Sequence, residues 1–390
     1  MYLDSSMTNR RHDTVPSLLL SHNPSGTLEA VLTGRYAELE AINTTRYGYL
    51  RPSAHTHWRH RHKYVFTLNL RQCVDLLPRL MGSIVEAIRF LGPKHCALSI
   101  IEGNSDDGTL EVLRLLKTDL SKMGVDFWLA SSSIDPKAGD DRIKQLAILR
   151  SLALEPVTRL DLAPDAAIIF INDVAACAED LLELIHQKSY QSADMVCAMD
   201  WWYADFPNPS ELPTFYDVWV SRDMNGAFYF DIPTDTGSWD FSHDLFPHEP
   251  IARARFGSGQ PFQVFSCWNG AVAFSARPLV EGKVNFRWPK EGECFQGEPQ
   301  LFCKDLWWEG FGRIAVVPSV NLAYNTQEGK RIKKELGFVS DFVSSDRIDW
   351  RAEPPAQVCC APGFKGQKWL DWDESLVNNT NTVAEEEQDI

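Results

Sequence analysis

The chain predicts an α/β fold built on one mostly parallel sheet. Three observations carry this reading. Apolar runs with strand character recur from Lys63 onward. Each is followed by a segment of helical periodicity, and strands separated by roughly 10–20 helical residues are joined by crossovers. Several of the runs end in polar residues, as strands do where their carboxyl ends face a ligand.

The elements follow in order. "KYVFTLNL" reads as a strand ending at Asn69, and "CVDLLPRLMGSIVEAIRFL" as the helix after it. "CALSIIEGNSDDGT" is a second strand running into a polar turn. "LEVLRLLKTDLSKM" places Leu110, Leu113, Leu116 and Leu120 on one helical face. "VDFWLAS" is a third strand and "RIKQLAILRSLAL" its helix. "AAIIFIND" is a fourth strand, delivering Asn172 and Asp173 just before the helix "AEDLLELIHQ". "ADMVCAMDWWY" is one more strand, ending near Asp200. Residues 207–263 carry Pro, Gly and aromatics without a period, as a functional lid or binding insertion does. "QVFSCWNGAVAFSA" restores strand character, "EPQLFCKDLWWEGF" is helical, and "RIAVVPSV" is the last strand. A helical stretch near 27–42 precedes all of this, and an acidic tail with Glu385, Glu386, Glu387 and Asp389 follows it, read as solvated and disordered.

Composition narrows the function. A net charge of −15 over 390 residues argues against nucleic acid as a partner. No run of about 18 apolar residues exists to span a bilayer. The nine cysteines show no CxxC pair and no zinc spacing. Cys96, Cys177, Cys197 and Cys267 lie in or beside apolar runs, where thiols act as small core residues. That suits a reducing compartment, with room for one or two disulfides. "HTHWRHRHK" holds four His but no carboxylate or Cys, so it reads as a solvated entry to the first strand rather than a zinc site.

The strand ends gather Asn69, then Glu102 to Thr109, then Asn172-Asp173, then Asp200. Carboxylates and amides on one edge suit a nucleotide's base and ribose together with a divalent cation. GxxxxGK[ST] and GxGxxG are both missing, which excludes a P-loop and a dinucleotide fingerprint. "GNSDDGT" also reads as a plain turn and helix cap, with Asp107 and Thr109 satisfying free N–H groups. Asp173 would likewise serve as a cap, except that Glu179 and Asp180 already sit at the start of that helix.

"FINDVAACAEDLLELI", "MDWWY", "FYDVWVSRDMNGAFYF", "FSCWNGAVAF" and "GECFQGEPQLFCKDLW" together resemble the fungal cryptococcal mannosyltransferase, or capsule-associated (CAP59-type), family over about residues 63–325. The resemblance implies a GT-A-like sheet with a long acceptor-side insertion. It implies a retaining, metal-dependent transfer of mannose from GDP-mannose, with Mn²⁺ or Mg²⁺, to a hydroxyl of a glycan or small-molecule acceptor, as in α-1,3-mannosyl transfer. In that frame Asn69, Glu102, Asn104, Asp107 and Asn172 hold the nucleotide sugar. Arg142 and Lys144 reach its diphosphate, or else lie on a solvated helix face. Asp173 binds the metal. Glu298 and Asp200 are the catalytic acids, Glu298 having an ordinary helix-start acid as its bland reading. Trp201, Trp202, Trp268 and Asn269 meet the acceptor, with core packing the rival reading for the tryptophans.

The expected organisation is an extension over 1–62, a nucleotide-sugar half over 63–200, an acceptor half of the same domain over 201–337, and an extension over 338–390. Two alternatives accompany the main reading: a soluble retaining glycosyltransferase of small-molecule biosynthesis using another nucleotide sugar, and a catalytically silent nucleotide-sugar-binding protein. Family members usually carry a membrane helix. The chain as given shows none, which implies a soluble protein of the cytoplasm, or of the Golgi lumen if an anchor was trimmed.

Overall fold

The computed structural model describes residues 44–52, 60–138, 141–203, 211–342 and 346–376. The expected 27–42 helix, most of the His-rich segment and the acidic tail lie outside the described residues. Within them, His60 pairs with Asp161 at 2.7 Å and His62 with Asp126 at 2.9 Å, so these imidazoles tie down the entry to the first strand.

The expected strands form β1 (His62–Leu70), β2 (Cys96–Glu102), β3 (Asp126–Ser131), β4 (Leu162–Ile171), β5 (Met195–Trp202) and β9 (Ile314–Ala323). Three shorter strands join them: β6 (Thr214–Phe215), β7 (Phe262–Gln263) and β8 (Ala271–Ser275). One nine-stranded sheet results, in the order β3-β2-β1-β4-β8-β5-β9-β7, with β6 on β5. The β3-β2-β1-β4 and β5-β9 pairings are parallel, whereas β8 runs antiparallel to both β4 and β5.

Helices over Leu77–Leu91, Thr109–Met123, Arg142–Leu154, Ala178–Tyr190 and Glu298–Trp308 appear where periodicity places them. Their apolar faces fill two buried clusters, one on each side of the sheet. The end of β4 shows why both sides are needed. Ile168 and Phe170 face one cluster, Ile169 and Ile171 the other, and all four are fully buried. Each such side chain stabilises the fold by about 1.5–3 kcal/mol.

Three features differ from the sequence reading. "QVFSCWNGAVAFSA" is not one strand. Asn269 and Gly270 adopt φ of 58° and 81°, and this left-handed pair separates β7 from β8. The 211–263 segment is not a lid: Phe215, Val218, Phe228, Tyr229, Phe230 and Phe246 are buried in the core cluster it shares with the sheet. The C-terminal part also folds back on the body. A hairpin of β10 (Gln357–Cys360) and β11 (Lys368–Asp371) docks there. The Trp219 indole and the Arg222 guanidinium donate to the Ala361 and Cys359 carbonyls.

The cysteines fill the room left for one or two disulfides, and they correct the reading of Cys197 and Cys267 as core thiols. Cys197–Cys267 and Cys294–Cys360 are disulfides, and Cys73, Cys96, Cys177, Cys303 and Cys359 are free and buried. Both pairings join cysteines that the fold brings to adjacent segments, a proximity that chain separations of 70 and 66 conceal.

Candidate active site

The carboxyl ends of β1, β2, β4 and β5 open onto one edge of the sheet. Much of the polarity there is spent on holding the edge itself. Asn69, with its amide turned to satisfy both ends, donates to the Leu149 carbonyl at 3.2 Å and accepts from the Arg150 N–H at 3.1 Å. It therefore docks the Arg142–Leu154 helix. Glu102 is fully buried and accepts from the N–H groups of Asn104 and Ser105 and from the Ser131 hydroxyl. Asp107 accepts from the N–H groups of Val74 and Thr109, both at 2.9 Å. That is the turn-forming role its sequence allowed. Asn104, exposed and left-handed at φ 55°, is the member of this group that faces solvent.

Asn172 and Asp173 behave differently from each other. The Asn172 amide oxygen accepts from the Trp268 indole at 3.0 Å and lies 3.5 Å from the Arg150 guanidinium. Asp173 is exposed at the floor of the cleft. Surrounding protein displaces enough of its hydration to push the carboxyl up to about 6, opposed by its own backbone N–H and by the positive charges of Lys137 and Arg150.

Arg150 is the hub. Its Nε donates to Glu298 at 2.8 Å. Its guanidinium lies 4.2 Å from the ring centre of Trp268, 5.2 Å from Phe170 and 5.6 Å from Phe286. The aromatic walls and the acid compensate a cation that would otherwise be costly to bury. Glu298, 2% exposed, opens the Glu298–Trp308 helix. The preceding Gly297 lets that helix start close in: a Cβ there would lie 2.7 Å from Val220 and 3.1 Å from Trp219.

Asp200 is fully buried. It accepts from the Tyr324 hydroxyl at 2.7 Å and from the Asp217 N–H at 3.3 Å. Burial and the neighbouring Asp217 charge hold its carboxyl well above the usual range. Asp217 accepts from the Asn269 N–H at 2.7 Å. Its carboxyl is also raised, by burial first and by the negative charge of Glu298, while Arg150 acts against the rise. Asp173, Asp217 and Glu298 therefore all lie within the field of one guanidinium.

The remaining expected residues divide. Arg142 is exposed at the rim, and Lys144 lies over the Trp288 ring at 4.9 Å. Trp201 points into the core and donates to Asn321 at 2.8 Å, and Trp268 holds Arg150. Neither offers a ring face to an acceptor. The Asn269 amide is spent on the Ala198 carbonyl and the Ser221 hydroxyl. Trp202 is half-buried, edge-on to Tyr216 and Trp239, with an indole N–H that has no partner among the described residues. Sequence reasoning missed Arg150, Asp217 and Tyr324. The available signals were a charge inside the apolar run "LAILRSLAL" and the acid within "FYDVW".

No group of three or more His, Cys, Asp or Glu placed to hold a metal occurs among the described residues. The donor set therefore does not fit an all-protein cage. One open carboxylate, Asp173, fits a cation that keeps waters and takes phosphate oxygens.

Residues 63–305 match the family model described as cryptococcal mannosyltransferase 1. The alpha-1,3-mannosyltransferase CMT1 of Cryptococcus neoformans is 36% identical over 327 residues, covering 77% of this chain and 68% of that protein. Solved structures with looser likeness include S. aureus TarS in complex with UDP, at 11% identity and TM-score 0.39, with 68% of this chain and 60% of that chain covered. Another is the mannosyltransferase PcManGT from Pyrobaculum calidifontis in complex with GDP-Man and Mn²⁺, at 11% and 0.37, with 76% and 68% covered.

Proposed function

The chain belongs to the cryptococcal mannosyltransferase 1 family and is a glycosyltransferase; from that premise we propose that it transfers mannose from GDP-mannose to a sugar hydroxyl, with retention and with the help of a divalent cation. The observation that carries this is Asp173, an open carboxylate just past a strand whose last six residues, Ala166 to Ile171, are buried. Glu102, Asp107, Asp200, Asp217 and Glu298 each have a protein donor on them, whereas Asp173 has only its own backbone N–H. Mn²⁺ or Mg²⁺ held there would neutralise charge on the departing diphosphate.

The chain's own residues supply the rest. Asn104 and Arg142, both exposed, are the groups left free to meet the donor. The bond between the anomeric carbon and the phosphate oxygen breaks, and GDP leaves with the electron pair. The acceptor oxygen bonds to the same face of the sugar, and its proton passes to the departing phosphate oxygen. Glu298 stabilises positive charge at the anomeric centre and orients the acceptor, and Arg150 fixes the Glu298 carboxylate. Asp217, anchored by the Asn269 N–H, accepts a hydroxyl of the transferred sugar, and Asp200 with Tyr324 sets the Asp217 backbone. Two disulfides suit an oxidising compartment, so we place the reaction in a secretory lumen rather than the cytosol.

Thermal shift with GDP-mannose tests this. With Mn²⁺ at a donor concentration 100 times its Kd, the wild type gains about 2.7 kcal/mol. Asp173→Asn keeps its own melting temperature and loses the metal-dependent part. Normal Mn²⁺-dependent stabilisation in Asp173→Asn removes the metal assignment.

A further inference from the structure

The tryptophans expected to meet the acceptor are mostly buried, which leaves open where an acceptor ring would lie. Two large aromatics stand out along the 286–298 segment: Trp288 is 42% exposed and Phe295 44%. The first follows Phe286, whose ring packs near Arg150, by two residues; the second precedes Glu298 by three. Lys144 lies over Trp288, and Phe295 sits 6.2 Å from Trp219, two residues past Asp217. Both rings thus stand on a segment that runs directly into Glu298, and Phe295 packs beside the segment that carries Asp217.

The segment that carries them is held with unusual firmness. Arg287 grips Asp305 at 2.7 and 2.8 Å and Glu293 at 2.6 Å. The fully buried Glu293 carboxylate also accepts from Lys304 at 2.8 Å. Cys294 is bonded to Cys360, and its N–H donates to Glu374. An apolar side chain left exposed between such anchors is pre-organised rather than loose, and pre-organisation lowers the entropic cost of binding.

We propose that Trp288 and Phe295 form the platform on which a pyranose ring of the acceptor glycan rests, presenting its hydroxyl to Glu298. The proposal depends on the transferase reading and adds the acceptor's location and chemical class. A sugar is amphipathic: its C–H face suits an aromatic ring and its hydroxyls suit the carboxylates beside it. A protein partner would need a contiguous surface of about 800 Å² on each side, whereas two separate rings match single sugar units.

Saturation-transfer NMR with α-1,3-mannobiose tests the platform directly, without turnover. The wild type transfers saturation to the ring protons of the disaccharide. Trp288→Ala and Phe295→Ala each weaken binding about ten-fold, the equivalent of one lost ring contact. Phe295→Tyr retains it, as does Trp308→Ala at the far end of the Glu298–Trp308 helix. Both alanine variants alter exposed side chains, and their melting curves confirm the fold. Wild-type affinity in the two alanine variants, or no saturation in the wild type, overturns the platform. The transferase reading is judged separately, by GDP release from GDP-mannose and Mn²⁺ in the wild type.

Discussion

Arg150 and Glu298 are 148 positions apart, and their pairing decides how the acidic cleft is organised. The guanidinium is enclosed by Trp268, Phe170 and Phe286, so its charge acts at short range on Glu298, Asp217 and Asp173. Glu298→Gln keeps an acceptor for the Arg150 N–H but lacks the negative charge. It is expected to leave the donor-induced thermal shift intact and to cut turnover by roughly 10². Arg150→Met is expected to lower stability by about 3–5 kcal/mol, because buried acids lose their cation. Turnover of Glu298→Gln near that of the wild type, or a parallel loss of donor binding, would place the acid outside the reaction centre. At this scale the sequence was half legible. A carboxylate at the end of an apolar strand announces itself, as Asp173 does. Asp107 and Asn269 carry equally suggestive chemistry, yet the Asp107 carboxylate is taken up by backbone N–H groups and the Asn269 amide by the Ala198 carbonyl and the Ser221 hydroxyl. Arg150 was hidden for the opposite reason: a charge on a helix reads as solvated until the ring cage around it is seen.

Among the elements, the 286–298 segment bears the most consequence. Gly297→Ala would put a methyl group 2.7 Å from Val220. The start of the Glu298–Trp308 helix must then retreat, and the Arg150–Glu298 contact lengthens. Turnover is expected to fall at least ten-fold while melting drops by only about 1–3 kcal/mol, in the range of core overpacking; unchanged turnover contradicts this. The same segment sets an acid limit. Burial alone would raise the Glu293 carboxyl, but hydrogen bonds from Arg287 and Lys304 outweigh it and hold it at about 2, below its ordinary 4.5. A group depressed in the folded state contributes stability that is whole above its unfolded value and is lost as pH falls through the folded one. Glu293 therefore contributes on the order of 3 kcal/mol at neutral pH, declining between about pH 4.5 and 2. Urea midpoints across this window should fall more steeply for the wild type than for Glu293→Gln. The strands and helices here follow period and composition closely, because burial on both faces leaves the chain little choice. The turn at Asn269-Gly270 was read through, since β-branched and aromatic neighbours on either side mask one left-handed step.

For the whole molecule, the two disulfides close loops that tie the 294–360 and 197–267 stretches together. Replacing Cys294 and Cys360 by Ser is expected to cost about 4 kcal/mol in the chain-entropy picture for a 66-residue separation. An equal melting temperature in the double variant would show that the ion pairs of Arg287 and Lys304 hold the hairpin alone. Connectivity of this kind is not written in cysteine spacing. The architecture was, because alternating strands and helices admit few topologies.

The position of β8 has a consequence in time. It fills the gap between β4 and β5, yet it begins 100 residues after β4 ends at Ile171. At about 5–20 residues per second, a ribosome takes roughly 5–20 s to deliver it. Until then β4, and β5 once it has been made, each lack the strand that will lie between them, in a chain whose next segment is rich in aromatics. Growing chains of this protein are therefore vulnerable to mispairing between neighbours on one messenger. Cys197 on β5 must wait 70 residues for Cys267, which lies only four residues before β8. The oxidation would draw β8 toward its slot, so the step that completes the sheet in a cell would also be the step that depends on the redox state around it.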